Sequence, residues 1–371
     1  MTVLLSALAF FLLLTILVLF HEFGHFYAAR RAGVTVEEFG FGLPPRIKTF
    51  FFQGGTRFSL NWIPFGGFVR LKGENAISDR ERLAPGSFGK ASVFARIVIL
   101  TAGVAMNFLF AIVIFTIGFS FARWIPTYLS FEEMKAAADR REINMQPAVL
   151  IDDVLSGGNA AKVGVPKRSI LLAVDGTPVD SPERVSEMQT GKRRATYFVL
   201  TGEDFKTEQT FDIPLLDGKT GVTLRPFPRE LSSPRRSLPR AFVLSLREAK
   251  VMTVQTVLGM VTLFQSLART GRVPEGITGI VGIAQLTHVS VQEGFMTYLR
   301  LVALLSLSLA ILNILPLPAL DGGRLLFVLF EAVSRRPPNR RFELTTNAVG
   351  FAFLLLLILL ITYHDILRLF L

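Results

Sequence analysis

Long apolar runs alternate with charged, turn-rich segments along the chain. Residues 1–20 contain no charged side chain, and a helix of that length spans about 30 Å, the thickness of a bilayer's hydrocarbon core. Runs at 94–122, 298–320 and 346–370 are also long enough to cross. The pattern therefore predicts four transmembrane helices. The first run lacks the basic start and small-residue cleavage site of a signal peptide.

A fifth apolar stretch, 251–268, differs from these four. It carries no charge but is rich in Thr, Gln and Ser, and it follows the basic stretch "SPRRSLPRAF". We therefore expect the segment 228–297 to contain an amphipathic helix that lies in the membrane interface rather than crossing the bilayer.

The pattern changes between residues 147 and 227, where short β-type runs are separated by turn signals at Gly157-Gly158, Asp175-Gly176 and Asp217-Gly218. One helix is predicted to begin with Ser181 as its N-cap and Pro182 at its first position. These features predict a small α+β domain. The runs are "AVLIDDVL", "SILLAVDG", "ATYFVL" and "QTFDIPLL".

Composition supports an integral membrane protein, with 50% hydrophobic and 19% charged residues. The net charge of +11 comes largely from loops beside the apolar runs, so lipid is expected as its partner rather than nucleic acid. Cytoplasmic loops are typically basic. The two basic loops are therefore expected in the cytoplasm, and both termini and the long segment 123–297 outside it. Their basic residues are Arg30, Arg31, Arg46, Lys48, Arg57, Arg70, Lys72, Arg80, Arg82 and Lys90, and Arg335, Arg336, Arg340 and Arg341.

The first apolar run ends in "HEFGH", residues 21–25. Residues four apart share a helix face, so His21 and His25 can bind one metal ion while Glu22 stands beside it. The metal that this motif usually binds is zinc. Because the chain has no cysteine, a third protein ligand must be His, Asp or Glu.

Asp321 is the best candidate for that third ligand. It is the only charged residue between Arg300 and Arg324, at the inner end of the third apolar run, and an ionisable group at such depth is a functional hypothesis. Meeting His21 requires the first and third spans to point the same way, which a full crossing by 251–268 would prevent.

Helix-breaking residues surround Asp321 in "NILPLPALDGG". Irregular backbone inside a membrane is tolerated where it lines a cavity. The segment is therefore expected to line a polar site, and an ordinary proline-kinked helix end is the alternative.

Residues 49–63, "TFFFQGGTRFSLNWI", predict two β-type runs around Gly54-Gly55. Such a Phe-rich hairpin could enter the membrane and add a substrate segment to its edge strand. A hairpin that only rests on lipid is the alternative.

The motifs together resemble the site-2 protease family of intramembrane zinc metalloproteases, in its bacterial form that cleaves regulatory membrane proteins. The similarity lies in "HEFGH", "NILPLPALDGG", "FGFG", "PFGGFVRLKGE", "GVAMNF", "GITGIVGIAQL" and a stretch after Val154 that is similar to a PDZ domain. The resemblance implies one Zn²⁺ per chain bound by His21, His25 and Asp321, with Glu22 as catalytic base.

The resemblance also implies that Asn313, Pro316 and Pro318 shape the substrate site. Asn107 is a further candidate, either as a stabiliser of a ligand or of the oxyanion, or as a residue that joins helices.

The fold class expected is a polytopic α-helical membrane protein with four transmembrane helices, a membrane-associated β-hairpin region and an inserted extracytoplasmic α+β PDZ-like domain. The expected segments are the first span (1–28), the hairpin region (29–93), the second span (94–122), a linker (123–146), the PDZ-like domain (147–227), the interfacial segment (228–297), the third span (298–330), a cytoplasmic loop (331–345) and the fourth span (346–371).

The function implied is hydrolysis of peptide bonds in single-span membrane proteins, such as an anti-sigma factor, in the bacterial inner membrane. The zinc site is expected near the cytoplasmic side, and the PDZ-like domain is expected to bind a substrate C-terminus or to exclude bulky substrates. Two alternatives stay open. One is a multi-span protease of the CAAX-processing type, which replacing Asp321 by Asn would distinguish from the first hypothesis. The other is a catalytically silent membrane scaffold.

Overall fold

The computed structural model describes residues 2–202, 205–216, 218–274 and 276–370, without the side chains of 79, 369 and 370. The chain forms two compact units. Unit 1 comprises Met1–Ala122 and Ser237–Leu371, and unit 2 comprises Arg123–Arg236.

Eleven α-helices and eight β-strands occur in the described residues. In chain order they are α1 (Thr2–Arg31), β1 (Val36–Gln53), β2 (Thr56–Leu71), α2 (Asp79–Arg82), α3 (Val93–Phe121), α4 (Phe131–Asp139), β3 (Asn144–Val154), α5 (Asn159–Lys162), β4 (Ser169–Val174), β5 (Thr177–Pro178), α6 (Pro182–Gln189), β6 (Arg194–Thr201), β7 (Thr207–Pro214), β8 (Val222–Ser232), α7 (Leu238–Thr270), α8 (Ile280–Glu293), α9 (Phe295–Ile314), α10 (Asp321–Ser334) and α11 (Arg340–Phe370).

Among the described residues of unit 1, five helices are long and apolar enough to cross a membrane: α1, α3, α7, α9 and α11. Four of them coincide with the predicted spans. The fifth, α7, contains the stretch 251–268 that the sequence predicts as interfacial, and its 33 residues make it longer than expected. Length and composition alone therefore admit one more crossing than the predicted four.

The directions of three helices are fixed by their contacts. Phe20 of α1 stacks on Phe110 of α3 with ring centroids 4.0 Å apart, and His25 contacts the Ile99 carbonyl, so α1 and α3 are antiparallel. Tyr298 near the start of α9 donates a hydrogen bond to the carbonyl of Ala9 at 2.9 Å. Just after α9 ends, the chain lies beside the C-terminal end of α1. The helices α1 and α9 therefore run in the same direction, as the sequence predicts.

The third apolar segment is not one continuous helix over 298–330. α9 ends at Ile314 and α10 begins at Asp321, because Pro316 and Pro318 cannot continue the hydrogen-bonding pattern of a helix. The predicted cytoplasmic loop 331–345 is correspondingly shorter, since α10 extends to Ser334 and α11 already begins at Arg340.

The predicted hairpin is present and longer than 49–63. Strands β1 and β2 pair antiparallel around Gly54 and Gly55, whose φ angles of 56° and 81° suit a tight hairpin turn. Outside this turn the apolar side chains of Phe51, Phe52 and Trp62 are exposed. An exposed apolar surface of this kind is suited to contact with lipid.

Unit 2 contains a six-stranded antiparallel sheet in which the strand order is β7-β6-β4-β3-β8, and β5 pairs with β4. All four predicted β-type runs are strands. Its core is a continuous cluster of buried aliphatic side chains around Tyr197, as expected for an α+β domain. Unit 2 is wider than the expected 147–227, because the expected linker 123–146 contains α4 and the start of β3. The PDZ-like assignment stays a prediction.

The predicted local signals of unit 2 are confirmed where they are described. Asp175 and Gly176 both have positive φ, at 49° and 76°. Ser181 caps α6 by accepting a hydrogen bond from the Arg184 amide at 3.3 Å. Asp217, which belongs to the third predicted turn, lies outside the described residues.

An ion pair fixes the far end of α10. Arg96 of α3 donates two hydrogen bonds, at 2.8 and 2.6 Å, to the two carboxylate oxygens of Glu331. Arg96 is buried, and its hydrogen bond lowers the pKa of Glu331. Because α10 begins at Asp321, this pair stabilises the helix that carries the third predicted metal ligand.

We expect Glu331→Gln to lower the free energy of unfolding by about 2 kcal/mol at pH 7, less than the ~3–5 for breaking a fully buried pair. A carboxylate whose pKa is lowered by folding stabilises the protein above its unfolded pKa, roughly 4.3, and loses that contribution as pH falls through the folded pKa. The difference between variant and wild type should therefore shrink below about pH 4. Thermal unfolding in detergent measures it, with Glu37→Gln at an exposed site as control. An equal difference at pH 7 and pH 3 would contradict the assignment.

Candidate metal centre

Helix α1 brings two imidazoles to one point near its C-terminal end. His21 and His25 are one helical turn apart and are both buried, at 6% and 8% exposure. Their Nε2 atoms are 3.1 Å from each other. The spacing predicted from the sequence therefore produces the expected shared face.

Helix α10 brings the carboxylate to the same point. Asp321 is the first residue of α10, and its Oδ2 lies 2.9 Å from His21 Nε2 and 3.2 Å from His25 Nε2. The three ligand atoms thus form a small triangle, and these residues are a group that could hold a metal ion. The fold therefore brings together, as predicted, two residues that are 300 positions apart in the sequence.

The tautomer of His25 is the one that metal binding requires. His25 Nδ1 lies 2.8 Å from the Ile99 carbonyl oxygen, and a carbonyl only accepts, so Nδ1 carries the proton and donates it. A neutral His25 then presents the lone pair of Nε2 to His21 and to the Asp321 oxygen. That lone pair and the Asp321 carboxylate can both bind a cation placed between them.

The geometry fits zinc. A tetrahedral zinc ion with bonds of about 2.0–2.1 Å holds its ligand atoms roughly 3.3 Å apart, close to the 2.9–3.2 Å observed for the triangle. Two histidines and one carboxylate also form a ligand set known for catalytic zinc, which keeps its fourth position open. No cysteine competes, because the chain has none.

Close contact between α1 and α3 encloses the site. Gly103 of α3 packs directly against the imidazoles: a Cβ atom there would lie 2.5 Å from His25 Nε2 and 2.8 Å from His21 Cε1. A Cβ atom added at Gly24 of α1 would likewise lie 2.3 Å from the Ala102 carbonyl oxygen. Both glycines are needed for this approach, because any side chain would push the two helices apart.

Glu22 is held by the edge of the hairpin. Its Oε2 accepts a hydrogen bond from the Val69 amide of β2 at 2.9 Å. Glu22, His25 and Asp321 all line a polar cavity of about 330 Å³. The other lining residues are Phe68, Val69, Arg70, Leu71, Glu74, Asn75, Ile99, Leu100 and Arg324.

The remaining predicted site residues lie around this centre. Asn313 is in the last turn of α9. Pro316 and Pro318 belong to the break before α10 and line an apolar cavity of about 550 Å³ together with Phe327 and Phe342. The part of the chain that the structure describes does not place these three residues among the metal-binding atoms.

Asn107 is fully buried one turn beyond Gly103. Its carbonyl accepts a hydrogen bond from Ser306 of α9 at 2.9 Å, and within the described residues its side chain has no hydrogen-bond partner. It is not among the residues that line the metal-site cavity. That hydrogen bond is made by the main-chain carbonyl and does not involve the side chain, so both predicted roles of Asn107 stay predictions.

Sequence reasoning missed Gly103, Ile99, Val69, Glu74 and Arg324 as individual contributors. Each acts through a contact with a distant segment, and only "GVAMNF" and "PFGGFVRLKGE" signalled that Gly103, Val69 and Glu74 belong to notable stretches. A contact made by a backbone amide, or by a glycine that has no side chain, produces no periodic pattern in the sequence.

Comparison with known proteins gives one consistent result. A family model described as peptidase family M50 matches residues 9–357. A protein of Campylobacter jejuni named as a zinc metalloprotease is 28% identical over 97% of this chain and 93% of its own length. Similar proteins of Clostridium perfringens, 28% identical over 94% of this chain and 95% of their length, and of Staphylococcus aureus, 26% identical over the full length of both, carry the same description.

Replacing Gly103 by Ala tests the geometry of the centre. The added methyl group would overlap both imidazoles, so we expect zinc affinity to fall at least tenfold while the helices still insert. Zinc content after dialysis against a graded chelator series measures this. The matched control is Gly259→Ala on α7, where the nearest atom to an added Cβ is 3.9 Å away. Unchanged zinc affinity in Gly103→Ala would contradict the placement of the site.

Proposed function

Because the chain belongs to peptidase family M50, the site-2 protease family, and is a zinc metalloprotease, we propose that it cleaves membrane-protein substrates within or near their transmembrane segments. The observation that carries this proposal is the meeting of His21, His25 and Asp321, with Glu22 beside them, on helices apolar enough to span a bilayer. The match to this family favours the first of the three hypotheses raised by the sequence.

His21, His25 and Asp321 are the residues that would hold the zinc ion through Nε2, Nε2 and Oδ2. When bound, zinc supplies a Lewis acid that activates water and polarises a carbonyl group. The Ile99 carbonyl orients the His25 ring by binding Nδ1, the ring nitrogen that would not bind the metal. Such a contact to the other nitrogen of a metal-binding histidine typically strengthens metal binding.

Glu22 is the proposed general base. It lines the same cavity as His25 and Asp321, and its carboxylate accepts the proton of the attacking water and later passes it to the leaving amine. The Val69 amide binds one of the two carboxylate oxygens, which fixes the rotation of the side chain and leaves the other oxygen to exchange the proton.

A helical substrate must lose its own hydrogen bonds before its carbonyl can be attacked. Strand β2 passes beside Glu22, and among the described strands it pairs only with β1. We propose that the substrate unwinds and adds to the free edge of β2 as an extended strand, exchanging its helical hydrogen bonds for bonds to the sheet. The apolar cavity beside Pro316 and Pro318 would receive a substrate side chain, and Asn313 lies next to this break.

We propose four membrane crossings, α1, α3, α9 and α11, with both termini and unit 2 outside the cytoplasm. The parallel directions of α1 and α9 support this count, since a crossing by both α3 and α7 would make α9 antiparallel to α1. Leu263 near the end of α7 also packs beside Val273 and Leu357, so the chain after α7 folds back along α11. Since Leu357 lies near the middle of α11, α7 in this arrangement enters the bilayer partway without crossing it, and the chain then returns.

We further propose that the enzyme acts in the bacterial inner membrane in regulated proteolysis of a single-span signalling protein such as an anti-sigma factor. Unit 2, as a PDZ-like domain, would bind a newly formed substrate C-terminus by strand addition or exclude bulky substrates. The basic loops around residues 70–90 and 335–341 would lie against anionic lipid.

Glu22→Gln tests the proposed function. The variant keeps the shape of the side chain and loses its base, so we expect cleavage to fall at least a hundredfold with zinc binding retained. The purified protein is reconstituted in liposomes with a panel of single-span substrates, and the products are identified by mass spectrometry. Glu37→Gln, on the exposed side of β1, serves as control. Equal product from the wild type and Glu22→Gln would remove the proposed mechanism.

The topology can be tested with single cysteines, because the chain has no cysteine of its own. We expect Ser186→Cys in unit 2 to react with a membrane-impermeant maleimide on intact spheroplasts. Ser78→Cys, in the segment after β2, should react only after the membrane is permeabilised. Both side chains are exposed, so a cysteine that fails to react is shielded by the membrane and not by the protein itself. The reverse labelling pattern would overturn the orientation.

A further inference from the structure

An ion pair links the segment after β2 to the helix that begins with Asp321. Glu74 follows β2 by three residues, and its carboxylate forms a salt bridge with Arg324, one turn into α10. Glu74 is largely buried, with its side chain 14% exposed, and Arg324 is 34% exposed. Neither residue belongs to the candidate metal-binding group, and both line the metal-site cavity.

The same segment is held from a second side. Arg340, the first residue of α11, donates hydrogen bonds to the carbonyls of Glu74 at 2.6 Å and of Ala76 at 3.0 Å. Arg324 therefore binds this stretch of three residues through the Glu74 side chain, and Arg340 binds it through backbone carbonyls. Hydrogen bonds from a charged donor are stronger than those between neutral groups, so these contacts hold the segment firmly.

These contacts close a ring around the metal centre. Asp321 contacts His21 at 2.9 Å, and His21 is the neighbour of Glu22 in α1. Glu22 is bound by the Val69 amide at 2.9 Å.

From Val69 the chain runs five residues to Glu74, whose salt bridge leads to Arg324 and so back to Asp321 in one helical turn. The Glu74–Arg324 pair is the only non-covalent contact named in this ring that involves neither the metal ligands nor the base.

Resting on the proposed function, we propose that Glu74 and Arg324 are positioning residues that fix the base relative to the metal. The salt bridge holds the end of β2 against α10 and thereby keeps the Val69 amide where it orients Glu22. Without the salt bridge, the end of β2 can move while His21, His25 and Asp321 still meet. The base then loses its orientation, and the metal stays bound.

The consequence is a specific kinetic signature. Displacement of a catalytic group by about 1 Å can lower the rate of reaction by roughly a hundredfold. We expect Glu74→Ala and Arg324→Ala each to lower kcat by about 10- to 100-fold, with KM and zinc content changed less than threefold. The exchanged pair, Glu74→Arg with Arg324→Glu, should recover at least a third of the wild-type kcat.

Matched controls come from the same segment. Arg80→Ala and Glu81→Ala remove one charge of each sign at exposed positions that do not line the metal-site cavity. Both should leave kcat within twofold of the wild type. A general effect of charge near the membrane surface would lower kcat in these variants as well, and that outcome would overturn the proposal.

A second measurement does not depend on activity. The absence of native cysteines allows spin labels at Ile77→Cys and Val333→Cys, which are 78% and 87% exposed. The distribution of distances between the two labels reports how firmly the segment is held to α10. We expect a narrow distribution in the wild type, a broad one in Glu74→Ala and Arg324→Ala, and a narrow one again in the exchanged pair.

The outcomes separate the two proposals. Narrow distributions in both single variants would overturn the positioning role, and so would broad distributions with an unchanged kcat. A wild-type protein that cleaves no membrane substrate would overturn the proposed function instead, and the label distances would then decide alone whether the salt bridge holds the segment.

Discussion

The structure depends on the convergence of three potential metal ligands in a buried place. His21, His25 and the Asp321 carboxylate place their ligand atoms about 3 Å apart, an arrangement that a metal cation bound between them would stabilise. Metal binding therefore contributes to the cohesion of unit 1, because it joins α1 to α10 across most of the sequence. The direction of α9 and the break at Pro316 and Pro318 both serve this convergence.

Close helix packing and charged contacts hold the surroundings of the centre in place. Gly24 and Gly103 let α1 and α3 approach until the imidazoles rest on backbone, and the bidentate Arg96–Glu331 pair anchors α10 to α3. Strand β2 completes the site by offering the Val69 amide to Glu22. Catalytic power in such a site comes from groups fixed before the substrate arrives, and here rigid helices and a strand supply that order.

Much of this arrangement could be predicted from the sequence. The features concerned either depend on residues close together in the chain or involve a residue whose chemistry differs from that of all its neighbours. "HEFGH" needs only helical spacing to form a shared face, Asp321 stands alone among apolar residues, and Asp175-Gly176 and Ser181 follow general turn and capping rules. The extent of α7 and the contacts of Gly103, Val69 and Glu74 could not be predicted in this way. They depend on which segments meet in space, and a glycine or a backbone amide carries no chemical signature of its distant neighbour.

The most direct test of the central claim is zinc-edge X-ray absorption spectroscopy of the metal-loaded protein, compared with Asp321→Asn. The account predicts one zinc per chain with two imidazole nitrogens and a carboxylate oxygen in the wild type, and a changed oxygen shell in the variant. Identical spectra from the two proteins, or a zinc ion without two histidine ligands, would contradict it.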